Sequence, residues 1–454
     1  MSTNISRRKV VAGAAWAAPV VAASAAVPAF ASSTVCEWES TAAYTAEGNV
    51  SGAKGSASFT VPPLVDKIKF EVVGGAGGTN YDDIAAGSGA KITGIIEVKP
   101  GQTVQLVAGA GGIGNGPLSS AEGGEGYGNG GSSNLPTPIP ASVMQSVNAI
   151  WPKDSSLKRI IYSASGGGSS ALVINGTPVA VAGGGGGAGF VNSGGANNNP
   201  DYAEAGAVDA GRLWPSGAKR NAYPVIGSTG GSAEGAEGSA GKQGALTYAA
   251  DTSVTTTVNA GEGGSAGIGG NGGSKTDLPS GKSPNGVLGY SSANNQEIYA
   301  SSKSGNQGGD GFKGNGGDGV GSYSYLIDNN DRTKKEVGTH NGTTYALEYE
   351  SIGFNFNGYE SVISAGGGAG YGGGGSGAST SSSAIVLTQK WNNNPNGLRQ
   401  NVGFAQFGGG GGAGGSYVAP GVSGGSIESA GNAPTERGKR GNGYVKVSLC
   451  KRTA

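Results

Sequence analysis

The chain contains one histidine and two cysteines, so few residues could build a catalytic centre. His340 lies between Thr339 and Asn341 in a polar stretch, and a histidine that activates a nucleophile must itself be held by a third group. No neighbouring residue indicates such support, and zinc sites built from Cys and His lack ligands. We therefore predict an exposed loop histidine, no catalytic residues, no cofactor and no metal site.

Two further patterns are typical of ion binding. A G-x-G-x-x-G sequence occurs at residues 109–114, but 94 glycines in 454 residues produce this pattern by chance, and it needs a strand and a helix around it. Asp310 and Asp318 lie between glycines, and residues 328–331 carry more oxygen ligands of the kind that Ca²⁺ prefers. Lys313 stands where the calcium-binding β-roll repeat has an acidic residue. The sequence therefore favours solvated loop carboxylates over a calcium site.

The first 31 residues have the pattern of an export signal. Arg7, Arg8 and Lys9 precede an apolar stretch at residues 10–27, and residues 29–31 read Ala-Phe-Ala, a small-residue cleavage site. The paired arginines resemble the twin-arginine signal of bacteria, although Val10 stands where that signal usually has Phe, and an ordinary secretory signal is the alternative. We predict an exported bacterial protein that is extracellular or lies at the cell surface.

The two cysteines, Cys36 and Cys450, lie near the two ends of the chain that follows the signal. In an exported protein such a pair is typical of a disulfide, and two independent thiols are the alternative. A disulfide requires Cα atoms within about 7 Å of each other. We therefore expect the first and last strands to be neighbours and residues 32–454 to form a single domain.

Glycine dominates the composition and is clustered at residues 183–187, 366–377 and 408–415. Ordering a glycine costs about 0.5–1 kcal/mol more than ordering an alanine. Over the chain the excess is on the order of 50–90 kcal/mol, far above net stabilities of about 5–15 kcal/mol. The glycines therefore form either disordered spacers or an unusual ordered lattice. With 17 Tyr, 9 Phe and 5 Trp, the composition argues against disorder.

Alternating apolar residues predict several strands between the glycine clusters. Ile68, Phe70 and Val72 alternate with polar residues, which places them on one face of a half-buried strand. Pro100-Gly101 and Asn175-Gly176 each separate two apolar runs and predict two hairpins. Strands are predicted at residues 67–72, 95–98, 104–107, 172–174, 179–181, 345–349, 384–387 and 444–447.

Three of these strands run directly into glycine clusters, at residues 74–78, 109–112 and 183–187. We expect the clusters to continue as extended helices with three residues per turn, of the polyproline II type. Such helices make no internal hydrogen bonds, so their buried backbone groups must pair with neighbouring segments. The sequence thus predicts little α-helix and a bundle of polyglycine II helices with Asn/Tyr-rich insertions over residues 183–440. The β-strands are expected mainly at residues 36–182 and 441–450.

Several segments resemble, in the same order, secreted bacterial glycine-rich domains. They are residues 59–65, 73–78, 99–103, 174–176 before 182–184, 365–375 and 443–447. The pattern is similar to the glycine-rich extracellular region of anaplastic lymphoma kinase-type receptors and, more loosely, to polyglycine-helix adhesin tips of phage tail fibres. The resemblance implies a mainly β fold, a jelly-roll-like β-sandwich joined to a bundle of polyglycine II helices. The chain departs from it at residues 192–223 and 279–356.

Aromatic residues in and near these insertions are the candidate ligand contacts, because exposed aromatics often bind sugars or proteins. Packing over the glycine helices is the alternative. The candidates are Trp214, Tyr223, Tyr290, Tyr299, Tyr323, Tyr325 and Tyr359.

The sequence therefore predicts an exported, non-enzymatic structural or adhesive module whose partner is a cell-surface or wall component, either glycan or protein. Near-zero net charge gives no electrostatic case for nucleic acid, and no apolar segment after the signal is long enough for a transmembrane anchor. An ice- or surface-binding protein and a polysaccharide-active enzyme with carboxylates in the insertions are the alternatives. Deleting residues 280–356 is expected to abolish binding and leave the fold intact.

Overall fold

The protein is mainly β in the part of the chain that the structure describes. The computed structural model describes residues 36–79, 85–115, 119–134, 158–195, 237–241, 244–247, 255–275, 296–299, 301–328, 336–340, 343–347, 358–391 and 394–452. These ranges contain strands and extended segments and no helix, as expected. The strands are β1 (Cys36–Trp38), β2 (Tyr44–Glu47), β3 (Gly55–Thr60), β4 (Val65–Val73), β5 (Ala90–Glu97), β6 (Thr103–Ala108), β7 (Lys158–Tyr162), β8 (Ser170–Ile174), β9 (Thr177–Ala182), β10 (Phe190–Gly195), β11 (Gly244–Thr247), β12 (Thr255–Val258), β13 (Gln296–Tyr299), β14 (Ser301–Lys303), β15 (Gly321–Asp328), β16 (Glu336–His340), β17 (Thr343–Leu347), β18 (Gly358–Ile363), β19 (Ser379–Trp391), β20 (Asn394–Gly408), β21 (Tyr417–Val418), β22 (Ser423–Ser429) and β23 (Tyr444–Arg452).

Two antiparallel sheets share one hydrophobic core. The first has the order β1-β23-β4-β5-β22, with β2 also paired to β23, and the second has the order β21-β9-β8-β6-β3. Ile68, Phe70 and Val72 lie in this core and are at most 2% exposed, which confirms the predicted face of β4. Leu106 and Leu172 of the second sheet are fully buried in the same cluster.

The predicted hairpin at Asn175-Gly176 is confirmed. β8 and β9 pair antiparallel on either side of it. Asn175 has a φ of 49° and Gly176 a φ of 81°, the left-handed values that this tight turn requires. The Asn175 side chain also accepts a hydrogen bond from the N–H of Thr103 at 2.9 Å, which ties the turn to β6.

The predicted hairpin at Pro100-Gly101 is wrong. Gly101 does form a turn, with a φ of 87°, but β5 belongs to the first sheet and β6 to the second. The N–H of Gly101 donates to the carbonyl oxygen of Val61 at 2.9 Å, so the turn is held by the residue that follows β3, the strand that pairs with β6. Ile92 of β5 and Val104 of β6 are both fully buried in the shared core. Because the chain crosses from the first sheet to the second between them, the two side chains enter the core from opposite sheets.

The first and last strands of the described chain are neighbours, as the sequence predicts. β1 pairs antiparallel with β23, with Cys36 opposite Arg452 and Trp38 opposite Cys450. Cys36 and Cys450 therefore occupy diagonal positions on one face of a two-strand ladder, and Cys450 is fully buried.

Tyr444, at the start of β23, gives the protein a testable alkaline limit. Its hydroxyl donates to Glu71 on the adjacent β4. Burial, and then the hydrogen bond and charge of Glu71, raise the pKa of Tyr444 to about 12. The unfolded value is about 10. The protonated phenol therefore contributes stability that is fully present below pH 10 and is lost as the pH rises from about 10 to 12.

Tyr444→Phe is thus expected to remove one late-titrating phenol from an ultraviolet absorbance titration of the folded protein, and to flatten the alkaline loss of stability. Glu71→Gln is the matched control. It should lower the pKa of Tyr444 only in part, because burial is the larger cause. A titration curve of Tyr444→Phe that superimposes on the wild type above pH 10 would contradict this assignment.

The glycine clusters lie side by side in what we call the glycine array. It comprises residues 74–79, 109–114, 123–131, 164–169, 183–188, 259–273, 305–319, 364–378 and 409–415, which form no regular strands. Most of its backbone N–H groups donate to carbonyl oxygens in other segments. These hydrogen bonds satisfy buried backbone groups that have no partner in a β-sheet. In these residues the clusters are therefore not isolated spacers.

The hydrogen bonds of the glycine array repeat every three residues. Successive N–H groups of residues 164–169 donate in turn to residues 183–188, to 109–114 and to 123–131, and then again in that order. The pairs are Ala164 to Ala188, Ser165 to Ile113, Gly166 to Gly131, Gly167 to Gly185, Gly168 to Ala110 and Ser169 to Gly128, at nitrogen–oxygen distances of 2.9 to 3.1 Å. Residues 366–371 repeat the pattern with three neighbours of their own. These two segments are thus bonded on three sides.

The array also explains why glycine is required there. A Cβ atom on Gly367 would lie 2.0 Å from the carbonyl oxygen of Gly374, and one on Gly166 would lie 1.9 Å from that of Gly367. Real Cβ atoms do not approach backbone atoms so closely. The segments therefore pack at a distance that only glycine permits, and the alanines of the array mark positions where a methyl group fits, such as the fully buried Ala369.

The insertion at residues 279–356 is not separable from this framework, so the expectation that deletion of residues 280–356 leaves the fold intact is wrong. Residues 305–319 belong to the glycine array, where the N–H of Gly308 donates to Gly270 and that of Gly317 to Gly374. The remaining strands form three further sheets, with the orders β14-β19-β20-β17-β16 plus β10, β13-β15-β18-β7, and β11-β12. Removal of residues 280–356 would leave array amides without acceptors.

Candidate functional site

Asp310 and Asp318, the candidate calcium ligands, each bind a backbone amide. Asp310 Oδ1 accepts from the N–H of Gly269 and Asp318 Oδ1 from that of Ser132, both at 2.8 Å. Both residues are exposed to solvent, as expected for loop carboxylates. The hydrogen bond that each makes to a backbone amide was not indicated by the sequence. Among the described residues, no three His, Cys, Asp or Glu side chains are grouped to hold a metal ion. Residues 329–331 of the other candidate stretch lie outside the described residues.

His340 ends a strand, so its assignment to a loop is wrong. It is the last residue of β16 and lies opposite Thr343 of β17. The signal was available, because Asn341-Gly342 between the two strands is the same hairpin dipeptide as Asn175-Gly176. The strand ladder accounts for the position of its backbone.

The G-x-G-x-x-G sequence at residues 109–114 uses its amides within the protein. The N–H groups of Gly109 and Ile113 donate to Ser170 Oγ and Ser165 Oγ, at 2.8 and 2.9 Å. Gly112 donates to the carbonyl oxygen of Ala76 at 2.7 Å. A phosphate loop needs such amides free at the start of a helix, and here they hold the glycine array together.

The structure aligns three of the candidate tyrosines across one sheet. Tyr299 of β13 lies opposite Tyr325 of β15, which lies opposite Tyr359 of β18. Directly opposite residues share one face of a sheet, so these three positions form a row, which we call the tyrosine row. Tyr323, two residues before Tyr325, is on the same face, and Lys158 of β7 continues the row beside Tyr359. Trp214, Tyr223 and Tyr290 lie outside the described residues.

The opposite face of this sheet packs against β19. Ser322 is 1% exposed, and its hydroxyl donates to the carbonyl oxygen of Ser379 at 2.9 Å. Consecutive strand residues point to opposite faces, so Ser322 lies on the face away from Tyr323 and the tyrosine row. Val362, in register with Ser322, is fully buried with Phe190 on that same inner face.

A second aromatic surface was missed from the sequence. Phe312 stacks on Tyr371 with ring centroids 4.7 Å apart and meets Tyr417 edge-on at 4.9 Å, while Tyr371 and Tyr417 are 5.1 Å apart. Tyr127 lies beside them against the same strands, and the Lys313 ammonium is 5.0 Å from its ring. We call Tyr127, Phe312, Tyr371 and Tyr417 the aromatic cluster. Tyr127, Phe312 and Tyr371 each stand alone next to glycines, a signal that could have identified them.

The aromatic cluster is fixed by the scaffold beneath it. Tyr127, Phe312 and Tyr417 pack on Ala171, Val173 and Val181, buried side chains on the outer face of β8 and β9. The four rings remain partly exposed, and burial raises the pKa of Tyr127.

Backbone contacts hold the ring of Tyr371 in place. A Cβ on Gly267 would lie 2.8 Å from this ring, so the ring rests directly on backbone. The N–H of Tyr371 donates to Gly415 at 2.8 Å, and the neighbouring Ile268 is 65% exposed. The surface around the cluster is thus partly apolar, open to solvent and attached to the glycine array.

No model of a known protein family matches the chain, and a comparison with curated proteins finds no match either. Within the ranges that the structure describes, no helix has the length and apolar character needed to cross a membrane.

Proposed function

We propose that this protein is an exported, non-enzymatic structural or adhesive module that acts at the cell surface or outside the cell. The observation that carries the proposal is the glycine array, in which closely packed segments are bonded on three sides. Such a lattice offers backbone groups that are already paired and few side chains that could react. It supplies rigidity, and the aromatic side chains at its edges supply contacts.

We further propose that the array is a bundle of polyglycine II helices. A helix with three residues per turn directs successive N–H groups to three different sides, and the three-residue repeat of donors agrees with this geometry. The two sheets with a shared core are compatible with the jelly-roll-like sandwich that the resemblance to receptor glycine-rich regions implies. Cooperative packing of this kind suits a module that must keep its shape outside the cell.

We also propose a disulfide between Cys36 and Cys450. The two positions are diagonal neighbours on one face of the β1–β23 ladder, and the chain has no other cysteine. A bond here would close the chain at the point where its first and last strands meet, which favours a protein that works in an oxidising compartment.

The tyrosine row is the proposed contact with a cell-surface or wall component. A variant with Tyr299, Tyr325 and Tyr359 replaced by threonine keeps the β-propensity of the strands and removes the rings. We expect it to bind isolated bacterial cell walls at least tenfold more weakly than the wild type, with an unchanged melting temperature. Sedimentation of the purified proteins with the walls measures the binding of the triple variant and of the wild type.

Tyr345→Thr, a change in β17 of a different sheet, is the matched control and should bind walls like the wild type. Equal wall binding by the triple variant and the wild type would exclude the tyrosine row as the contact. Release of reducing sugar from the walls by the wild type would overturn the non-enzymatic assignment.

A further inference from the structure

The aromatic cluster provides polar groups as well as rings. Within the part of the chain that the structure describes, no protein group hydrogen-bonds to the side-chain hydroxyls of Tyr127, Tyr371 or Tyr417. These hydroxyls stand at the edge of ring faces that are partly exposed, and the Lys313 ammonium lies over one of the rings. A tyrosine hydroxyl with no protein partner can donate to a ligand and accept from it. The surface therefore has the composition of a binding site with apolar faces and adjustable donors.

We propose that the aromatic cluster binds sugar rings of an uncharged polysaccharide. This deepens the proposed adhesive function and rests on it, since it names the class of ligand at one surface of the module. The apolar face of a sugar ring matches aromatic faces, and its hydroxyls both donate and accept, as the tyrosine hydroxyls do. The charges beside Phe312 are one cation, Lys313, and one exposed carboxylate, Asp310, which together suit a neutral ligand.

Other ligand classes fit the cluster less well. A nucleic acid or another phosphate polymer needs several cations along its path, and only Lys313 lies over an aromatic ring of the cluster in the described residues. A stable protein partner buries about 800 Å² on each side. Four half-buried rings, at about 150–250 Å² each when fully exposed, supply roughly half of that.

The rigidity of the cluster favours binding of a weakly interacting ligand. The backbone on both sides of Tyr127, Phe312 and Tyr371 belongs to the array, where Gly311 donates to Gly267 at 2.8 Å and Gly372 donates to Gly311 at 2.9 Å. Rings held in this way lose little conformational entropy when a ligand arrives, so modest contacts are enough for measurable affinity.

The test is a calorimetric titration of the full exported chain with soluble hexasaccharides of glucose and of N-acetylglucosamine. We expect the wild type to bind at least one of them. The double variant Tyr371→Phe and Tyr417→Phe keeps both rings and removes only hydroxyls, so it should fold normally and bind at least tenfold more weakly. Tyr44→Phe, which changes a ring stacked on Phe59 at 3.8 Å elsewhere in the protein, is the control and should bind like the wild type.

The outcomes separate this proposal from the adhesive function. If the wild type binds cell walls but neither hexasaccharide, or if the double variant binds sugar as tightly as the wild type, the cluster is not a sugar site and adhesion stands. If the wild type fails to bind walls at all, the adhesive function itself is wrong. Binding of a soluble polyphosphate or a proline-rich peptide in place of the sugars would also overturn the assignment of ligand class.

Discussion

Gly367→Ala is expected to destabilise the protein by at least about 3 kcal/mol, the upper part of the range for overpacked interiors. The added methyl carbon would lie 2.0 Å from the carbonyl oxygen of Gly374 and 2.6 Å from its carbon. Neither backbone is free to move, because the Gly374 oxygen accepts from Gly317, and Gly367 itself donates to the oxygen of Gly317. The lower conformational entropy of alanine in the unfolded chain offsets only about 0.4–1 kcal/mol.

The free energy of unfolding in urea measures this effect, and Gly425→Ala is its matched control. A Cβ on Gly425 would have no neighbour closer than 3.5 Å, so we expect a change of less than about 1 kcal/mol. Gly367→Ala with the unfolding midpoint of the wild type would show that the array is not closely packed at this point, and the rigid-scaffold proposal would lose its main support.

The local features of the sheets could be predicted from the sequence. The alternation around Ile68, Phe70 and Val72 identifies the buried face of β4 because a strand repeats every two residues. Asn175-Gly176 identifies its hairpin because both positions need a positive φ. In each case the information lies within about ten residues of chain.

Contacts between distant segments could not be predicted in the same way. Nothing near Pro100-Gly101 tells whether β5 and β6 pair or separate, because the decision depends on partners such as β22 and β3. The alignment of Tyr299, Tyr325 and Tyr359 depends on the register of three strands. The aromatic cluster joins Tyr127 to Tyr417, and only the fold of the array brings them together.

The three-residue repeat lies between these two cases. Glycine clusters after strands predict extended segments that pair with one another, and the donors of residues 164–169 do so. The sequence does not specify which segment neighbours which, because glycine carries no side chain to mark a partner. The alanines and serines of the array carry part of that information, as Ser165 shows by donating to the carbonyl oxygen of Glu122 at 2.7 Å.

Removal of the proposed disulfide is the second change for which we expect a large effect. Cys36→Ser or Cys450→Ser should lower the free energy of unfolding by about 2–5 kcal/mol, because the unfolded chain regains the freedom of a very long loop. The chain-entropy estimate for such a loop is roughly 6 kcal/mol, which sets an upper limit. Reducing agent should lower the stability of the wild type by the same amount and leave the serine variants unchanged.

Thiol labelling in denaturant without reductant supplies the direct test. The wild type should take up no label, and each serine variant should take up one equivalent, because a lone cysteine then remains. Labelling of both cysteines in the wild type would exclude the bond. Burial alone would not protect them, since Cys450 is fully buried only in the folded state and denaturant exposes it. The resistance of the unfolded wild type therefore reports a covalent bond, and the pairing of β1 with β23 places the two cysteines where such a bond can form.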